Sequence, residues 1–133
     1  MLKKVFSLLV LFTTFVFADF IGITPQQLQQ KIDQNIKVID IRTPPEWEQT
    51  GIVPTSEKLM FFDARGGYNV QSWIAQFEKI VKDKNQPFVL VCRSGNRTGQ
   101  VGNFLAKELK FKNVYHLQNG IKSWIKENRK VTK

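Results

Sequence analysis

The sequence predicts an α/β fold in which a mainly parallel central sheet is flanked by helices. Strand-like and helix-like segments alternate along the chain, which is typical of folds built from β-α-β units. The run Phe88–Val91 is apolar at every position, as in a strand that is buried on both faces of a parallel sheet. With 133 residues and no internal repeat, the chain has the length of one domain.

The first 18 residues have the layout of a secretory signal peptide. Lys3 and Lys4 precede an apolar run, Val5–Phe17, and Ala18 offers a small residue for cleavage. The run has about 13 residues, fewer than the roughly 20 that a helix needs to cross a bilayer. We therefore expect a signal peptide at 1–18, a mature domain at 19–133, a bacterial periplasmic or secreted location, and membrane contact only during export.

The chain is basic, with a formal net charge of +9, or +7 once Lys3 and Lys4 are removed. A positive surface attracts anions in general. The lysines concentrate in residues 107–112 and 122–133, and no basic stripe carries interleaved aromatic residues. We therefore expect small anions as partners and no nucleic acid.

The N-terminal half of the mature chain contains helix and strand signals in alternation. Thr24 is a favourable N-cap residue, and Pro25 follows at the first helical position. The β-rich run Val38–Ile41 predicts a strand, and Lys58–Phe62 predicts another. Between these strands, Pro45–Glu48 indicates a helical turn.

The C-terminal half continues the alternation around the buried strand Phe88–Val91. Apolar residues at spacings of three and four predict a helix over Asn69–Val81. After the strand, the pattern predicts a helix over Thr98–Leu109, a strand over Val114–Leu117 and a last helix over Ile121–Lys126.

A polar loop follows strand Phe88–Val91 and contains the only cysteine, in the order Cys92, Arg93, Ser94, Gly95, Asn96, Arg97 and Thr98. Gly95 permits a positive φ, so successive N–H groups of the loop can converge on an anion. The start of the next helix, the two guanidinium groups and the Thr98 hydroxyl would also stabilise a thiolate. Ligands of parallel sheets bind beyond the carboxyl ends of the strands, so we expect Cys92 at the mouth of the sheet and not in the core.

A single cysteine has three possible roles, as a buried apolar residue, an intermolecular link or a reactive thiol. The segment between Cys92 and Thr98 contains two arginines, one glycine and no apolar residue, so it is poorly suited to a core. These neighbours favour a nucleophile.

The cysteine loop resembles the active-site loop of the rhodanese family of sulfurtransferases. Two further blocks carry the resemblance, because Val38–Trp47 is similar to the family's Asp-x-Arg segment and Leu117–Trp124 to its closing Gly-Gly-x-x-x-Trp motif. The blocks occur in the family's order and span nearly all of residues 19–133. The chain is therefore identified as an exported, single-domain member, which implies a rhodanese-like three-layer fold.

The resemblance implies a sulfurtransferase that works through a Cys92 persulfide. Cys92 would take a sulfane sulfur from thiosulfate or a persulfide and pass it to a thiophilic acceptor, which is cyanide, a small thiol or a protein thiol. The loop from Arg93 to Thr98 would bind substrate and stabilise the persulfide, with Arg97 bracing the loop and steering the anionic donor. No metal or organic cofactor is implied.

The resemblance gives Asp40 and Arg42 a supporting role. They are expected to hold loops at the edge of the sheet that carries Cys92, with Arg42 paired to Glu46. His116 is the only histidine, and its place in a predicted strand favours a structural role.

Two positions depart from the family pattern. Gly51–Pro54 keeps the glycine and proline of a Gly-His-Ile-Pro-Gly-Ala motif but lacks the histidine. Asn119 stands where the closing motif usually begins with glycine. Asparagine tolerates left-handed backbone better than most residues, so we expect this turn to persist.

The loop length separates two kinds of chemistry. Phosphatases of related fold place five residues between cysteine and arginine, whereas four separate Cys92 from Arg97. This shorter loop resembles that of sulfurtransferases. The alternatives are a periplasmic sulfur carrier or docking module without general turnover, and a cysteine-dependent phosphatase.

Export predicts a defined N-terminus. Protein isolated from a native-like host should begin at Asp19, because a signal peptidase would cleave after Ala18. N-terminal sequencing of the purified protein checks this, and an intact Met1 would contradict it.

Overall fold

The central element is a five-stranded sheet. The computed structural model describes residues 19–133, so the predicted signal peptide lies outside the described residues. The strands are β1 Asp19–Ile23, β2 Lys37–Asp40, β3 Glu57–Lys58, β4 Phe88–Val91 and β5 Asn113–Leu117. They lie in the order β1-β5-β4-β2-β3, and every neighbouring pair is parallel. The parallel sheet expected from the sequence is confirmed.

Helices cover both faces of this sheet. They are α1 Pro25–Asp33, α2 Pro44–Thr50, α3 Val70–Phe77, α4 Asn96–Asn103, a π-helical turn Phe104–Glu108, and α5 Gly120–Lys126. One apolar cluster, which includes Phe77 and Leu105, lies under α3, α4 and the π-helical turn, and a second, which includes Leu28 and Trp124, lies under α1 and α5. This arrangement confirms the three-layer α/β fold. Within residues 19–133, no helix has the length and apolar character to span a bilayer.

Strand β1 was not among the elements predicted from the sequence. It pairs with β5 alone at one edge of the sheet, and it contains a glycine. Phe20, Ile21 and Ile23 favour β structure, but the glycine interrupts this short run and weakens its local signal. Pairing with β5 completes the strand.

Most predicted elements differ from the observed ones by a residue or more, and the backbone hydrogen bonds explain three of these differences. Strand β3 has only two residues, Glu57 and Lys58, and beyond it the N–H of Leu59 bonds to the carbonyl of Asp40, the last residue of β2, and the N–H of Phe61 bonds to that of Ile41. Helix α3 ends at Phe77, because beyond the C-cap residue Glu78 the N–H groups of Lys79 and Ile80 bond to carbonyls three residues back, in a tighter turn. The predicted helix Thr98–Leu109 starts earlier, at Asn96, and widens into the π-helical turn.

The register of the sheet decides which residues meet. Asp40, the last residue of β2, pairs with Val91, the last residue of β4. The segments that follow these two strands therefore leave the same edge side by side. One leads through Arg42 into α2, and the other is the Cys92 loop leading into α4.

Candidate active site

The sulfur of Cys92 lies beneath the loop that follows it. Its Sγ accepts hydrogen bonds from the backbone N–H of Gly95 at 3.2 Å and of Thr98 at 3.5 Å, and the Thr98 Oγ1 lies 3.4 Å away. The residue is 1% exposed and belongs to an apolar cluster. The prediction that Cys92 lies outside the core was wrong, because the loop folds back over the sulfur. Its expected place at the carboxyl edge of the sheet is confirmed.

The turn between β5 and α5 packs against the cysteine loop and forms hydrogen bonds with its backbone. The N–H of Ile121 donates to the Cys92 carbonyl at 2.9 Å, and the N–H of Lys122 donates to the Arg93 carbonyl at 3.2 Å. Gly120 has a φ of +68°, and a Cβ there would overlap the Arg93 carbonyl. Glycine is required at this contact for both reasons.

Gly95 and Asn119 complete this contact. Gly95 has a φ of +95°, and a Cβ there would overlap the Gln118 carbonyl oxygen. Asn119 has an ordinary negative φ of −105°. The turn persists with asparagine in it, as expected, but its left-handed residue is Gly120 and not Asn119.

The outer side of the loop carries unused donors. Among the described residues, the backbone N–H groups of Arg93, Ser94, Asn96 and Arg97 have no hydrogen-bond partner. The side chains of Arg93, Ser94 and Asn96 are exposed. Successive free N–H groups at the start of a helix attract an anion. The predicted loop residues therefore lie together, with Arg93, Ser94 and Asn96 facing solvent and Thr98 buried.

A cleft of about 530 Å³ opens beside the loop. Arg93 and Lys122 line it, together with Glu46 and Ile125. Neither Arg93 nor Lys122 forms an ion pair within residues 19–133. The cleft therefore brings two uncompensated cations next to the cysteine loop.

Asp40 and Arg42 form a buried ion pair with each other. The Arg42 Nη2 donates to Asp40 Oδ2 at 2.9 Å. The Asp40 side chain is 0% exposed and that of Arg42 is 1% exposed. Arg42 also donates to Thr50 Oγ1 and to the Gly51 carbonyl, both at 2.9 Å. Trp47 Nε1 donates to Asp40 at 3.0 Å. The expected pairing of Arg42 with Glu46 was wrong, and the expected loop-holding role is the one these contacts support.

Glu46 pairs instead with Arg97 of the cysteine loop. Two parallel hydrogen bonds of 2.7 Å join the guanidinium to both carboxylate oxygens. These hydrogen bonds lower the pKa of Glu46 from an ordinary 4.5 to about 2, and Glu46 in turn raises the pKa of Arg97. Arg97 thus braces the loop, and its charge is compensated by Glu46, which accepts two of its five N–H donors.

His116 joins the site, although the sequence favoured only a structural role for it. Its Nδ1 lies 2.8 Å from Thr98 Oγ1, and Thr98 contacts Cys92. One signal for this was available, because strand periodicity directs Val114 and His116 to the same face of β5. That face packs against α4, which begins at the cysteine loop.

The segment that lacks the family's histidine is packed as apolar structure. Ile52 stands at that position, is 6% exposed, and forms backbone hydrogen bonds of 2.7 and 2.9 Å with Thr132. Val53 is fully buried beside it. In the described part of the chain, no cluster of three or more potential metal ligands occurs.

The Glu46–Arg97 pair predicts a pH-dependent stability. Because its pKa is depressed in the folded state, Glu46 contributes stability above pH 4.5 that is lost as the pH falls towards about 2. Glu46→Gln should therefore lower the free energy of unfolding at pH 6, and the difference from wild type should shrink between pH 4.5 and 2. Urea unfolding at several pH values measures this. A difference that stays constant with pH would contradict it, and Glu48→Gln, an exposed carboxylate on the same helix, is the control.

The chain is similar to known proteins in both sequence and structure. An uncharacterized protein of Rickettsia prowazekii (RP600) is 28% identical over 106 residues, which cover 73% of this chain and 83% of that protein. A rhodanese-related protein from Thermoplasma volcanium has a similar structure, with a TM-score of 0.62, 25% identity, and coverage of 84% of this chain and 97% of that one.

The fold is also similar to that of a polysulfide-sulfur transferase homodimer from Wolinella succinogenes. The TM-score is 0.65 at 22% identity, with coverage of 87% of this chain and 80% of that one. The family model for the rhodanese-like domain matches residues 24–127, which include both β2 and the cysteine loop. The chain therefore belongs to the rhodanese-like domain family.

Proposed function

We propose that this protein is a sulfurtransferase that carries a sulfane sulfur on Cys92. The observation that carries the proposal is the Cys92 sulfur held by loop N–H groups, with four further N–H groups of the same loop left free. Such groups stabilise an anionic sulfur without a full positive charge. Membership of the rhodanese-like family supports a sulfurtransferase type of activity.

The first half-reaction loads the enzyme. The Cys92 thiolate attacks the outer sulfur of thiosulfate or of a persulfide, and an S–S bond forms. The bond between that sulfur and the rest of the donor breaks, and its electron pair leaves with sulfite or a thiolate. The free N–H groups of the loop are placed to hold the negative charge of the outer sulfur.

The second half-reaction transfers the outer sulfur from Cys92 to an acceptor. A nucleophilic acceptor, such as cyanide or a thiolate, attacks the outer sulfur of the Cys92 persulfide. The S–S bond breaks, and its electron pair returns to the Cys92 sulfur as a thiolate. Because Cys92 is 1% exposed, the acceptor would attack the outer sulfur and would not need to contact Cys92 Sγ itself.

The engagement of Arg97 argues against the phosphatase alternative. A guanidinium that is already paired with a carboxylate attracts phosphate oxygens less strongly than an unpaired one. The charge of Arg97 is compensated by Glu46, which accepts two of its five N–H donors. Arg93 and Lys122, which have no anionic partner within residues 19–133, instead support a small anionic donor entering through the cleft.

Sulfur loading is the direct test. Incubation of the protein with thiosulfate should add about 32 daltons, the mass of one sulfur atom, to Cys92. Cyanide should then remove the added mass and yield thiocyanate. Intact-protein and peptide mass spectrometry measure both steps, with Cys92→Ser as the control that gains nothing.

The possible outcomes separate the alternatives. No mass gain with thiosulfate, polysulfide or cysteine persulfide would overturn the sulfurtransferase proposal. Loading that cyanide and small thiols fail to discharge would indicate a dedicated carrier. Turnover of a phosphate ester that disappears in Cys92→Ser would restore the phosphatase.

The exposed cation of the loop should govern the donor step. Arg93→Ala should slow loading by thiosulfate about tenfold at low ionic strength, because about 1.4 kcal/mol of attraction for the dianion is lost. Salt should reduce the difference, since exposed charges are screened. Reactions quenched at successive times and analysed by mass spectrometry give the rate at which sulfur is added to Cys92. Lys79→Ala removes the same charge beyond α3, and an equal effect of the two variants would contradict the prediction.

A further inference from the structure

A continuous chain of polar atoms runs from the cysteine into the sheet. Thr98 Oγ1 lies 3.4 Å from Cys92 Sγ and 2.8 Å from His116 Nδ1. All three residues are buried, with Cys92 1% exposed, Thr98 0% and His116 8%. The proposed half-reactions use the threonine only through its backbone and leave the histidine without a role.

The histidine ring is held firmly in this position. Phe20 of β1 stacks on it with a centroid distance of 4.6 Å and an interplanar angle of 28°. Gly102 of α4 lies against the Phe20 ring so closely that a Cβ at position 102 would overlap that ring. Burial lowers the pKa of His116, so the imidazole is neutral at pH 7. A neutral imidazole has one N–H, and its position determines what Thr98 can do.

The Thr98 hydroxyl has one hydrogen and three possible acceptors, the Gly95 carbonyl at 3.2 Å, the imidazole Nδ1 and the Cys92 sulfur. If Nδ1 lacks a hydrogen, it accepts the hydroxyl hydrogen, and the sulfur loses this donor. If Nδ1 carries the hydrogen, it donates to Thr98 Oγ1. The hydroxyl hydrogen is then free to point at the sulfur, which is the stronger acceptor when it is anionic.

We propose that His116 is a positioning residue that donates from Nδ1 to Thr98 and thereby directs the Thr98 hydroxyl hydrogen onto the anionic sulfur of Cys92. No proton is transferred and no bond changes, because the histidine selects the orientation of an existing donor. Extension from the thiolate to the loaded persulfide rests on the sulfurtransferase function proposed above.

The charges around the sulfur make such neutral donors important. Arg97 is the cation whose charge interacts with Cys92, and its attraction is offset by its close pairing with Glu46. His116 faces Thr98 from β5 and is neutral, and Arg93 is exposed on the outer side of the loop. The thiolate therefore depends on N–H and O–H donors more than on a paired cation.

Alkylation of Cys92 by iodoacetamide, followed as a function of pH, tests the proposal. Only the thiolate reacts, so the midpoint of the pH–rate profile reports its stabilisation. Thr98→Val removes the hydroxyl, and the midpoint should rise by about one pH unit, since a hydrogen bond to a charged group contributes roughly that much. Thr98→Ser keeps the hydroxyl and should stay near wild type.

Two variants of the histidine separate its hydrogen bond from its packing. His116→Phe keeps a ring against Phe20 but removes Nδ1, and the midpoint should rise by about half to one pH unit. His116→Asn places an amide N–H near the position of Nδ1 without the ring, and its midpoint should lie closer to wild type than that of His116→Phe. A purely packing role predicts the reverse order and would overturn the proposal.

A double variant completes the test. If the histidine acts through the hydroxyl, His116→Phe should add no further shift in a Thr98→Val background. A full additional shift there, or no shift in His116→Phe alone, would also overturn the proposal. Thermal unfolding followed by circular dichroism checks that each variant is folded. Because alkylation requires no sulfur donor, its outcome is independent of whether thiosulfate loads Cys92.

Discussion

Asp40 and Arg42 form a buried ion pair at the carboxyl edge of the sheet, and the arrangement of the site depends on the hydrogen bonds that this pair makes. An isolated charge at 0–1% exposure would be strongly destabilising, so Asp40 and Arg42 must pair and also fill their remaining hydrogen-bonding positions. The partners they use, Trp47, Thr50 and Gly51, all belong to α2 or its C-terminal end. The pair therefore contributes geometry more than stability, because it holds α2 against the end of β2.

The position of α2 in turn determines the electrostatics of the cysteine loop. Glu46 on this helix reaches Arg97 and accepts a hydrogen bond from each of its two terminal nitrogens. The loop is braced, and its one partly buried cation is compensated. What remains for an anionic sulfur is a set of fixed backbone N–H groups and one hydroxyl, which need little reorganisation when charge develops. Arg93 and Lys122, which form no ion pair within residues 19–133, line the cleft beside the loop, where the proposed anionic donor would meet them.

The other side of the loop is built by β5 and the turn into α5. Gly120 and Gly95 allow backbone to approach backbone so closely that a Cβ at either position would overlap a carbonyl. The same strand carries His116 to Thr98, and the unpredicted strand β1 supplies Phe20 to hold its ring. The burial of Cys92 follows from this packing, because the loop is pressed back over the sulfur and does not stand open at the sheet edge.

The sequence by itself determined the alternation of strands and helices, the parallel sheet, the family blocks and the loop from Cys92 to Thr98, because these depend on local pattern and short spacing. Tertiary structure alone decided which charges pair. Glu46 lies close to Arg42 along the chain but meets Arg97, 51 residues away, because β2 and β4 end side by side. It also decided the burial of Cys92 and the contact of His116 with the loop. A side chain's partner and exposure depend on what other elements bring to it, and no local pattern records that.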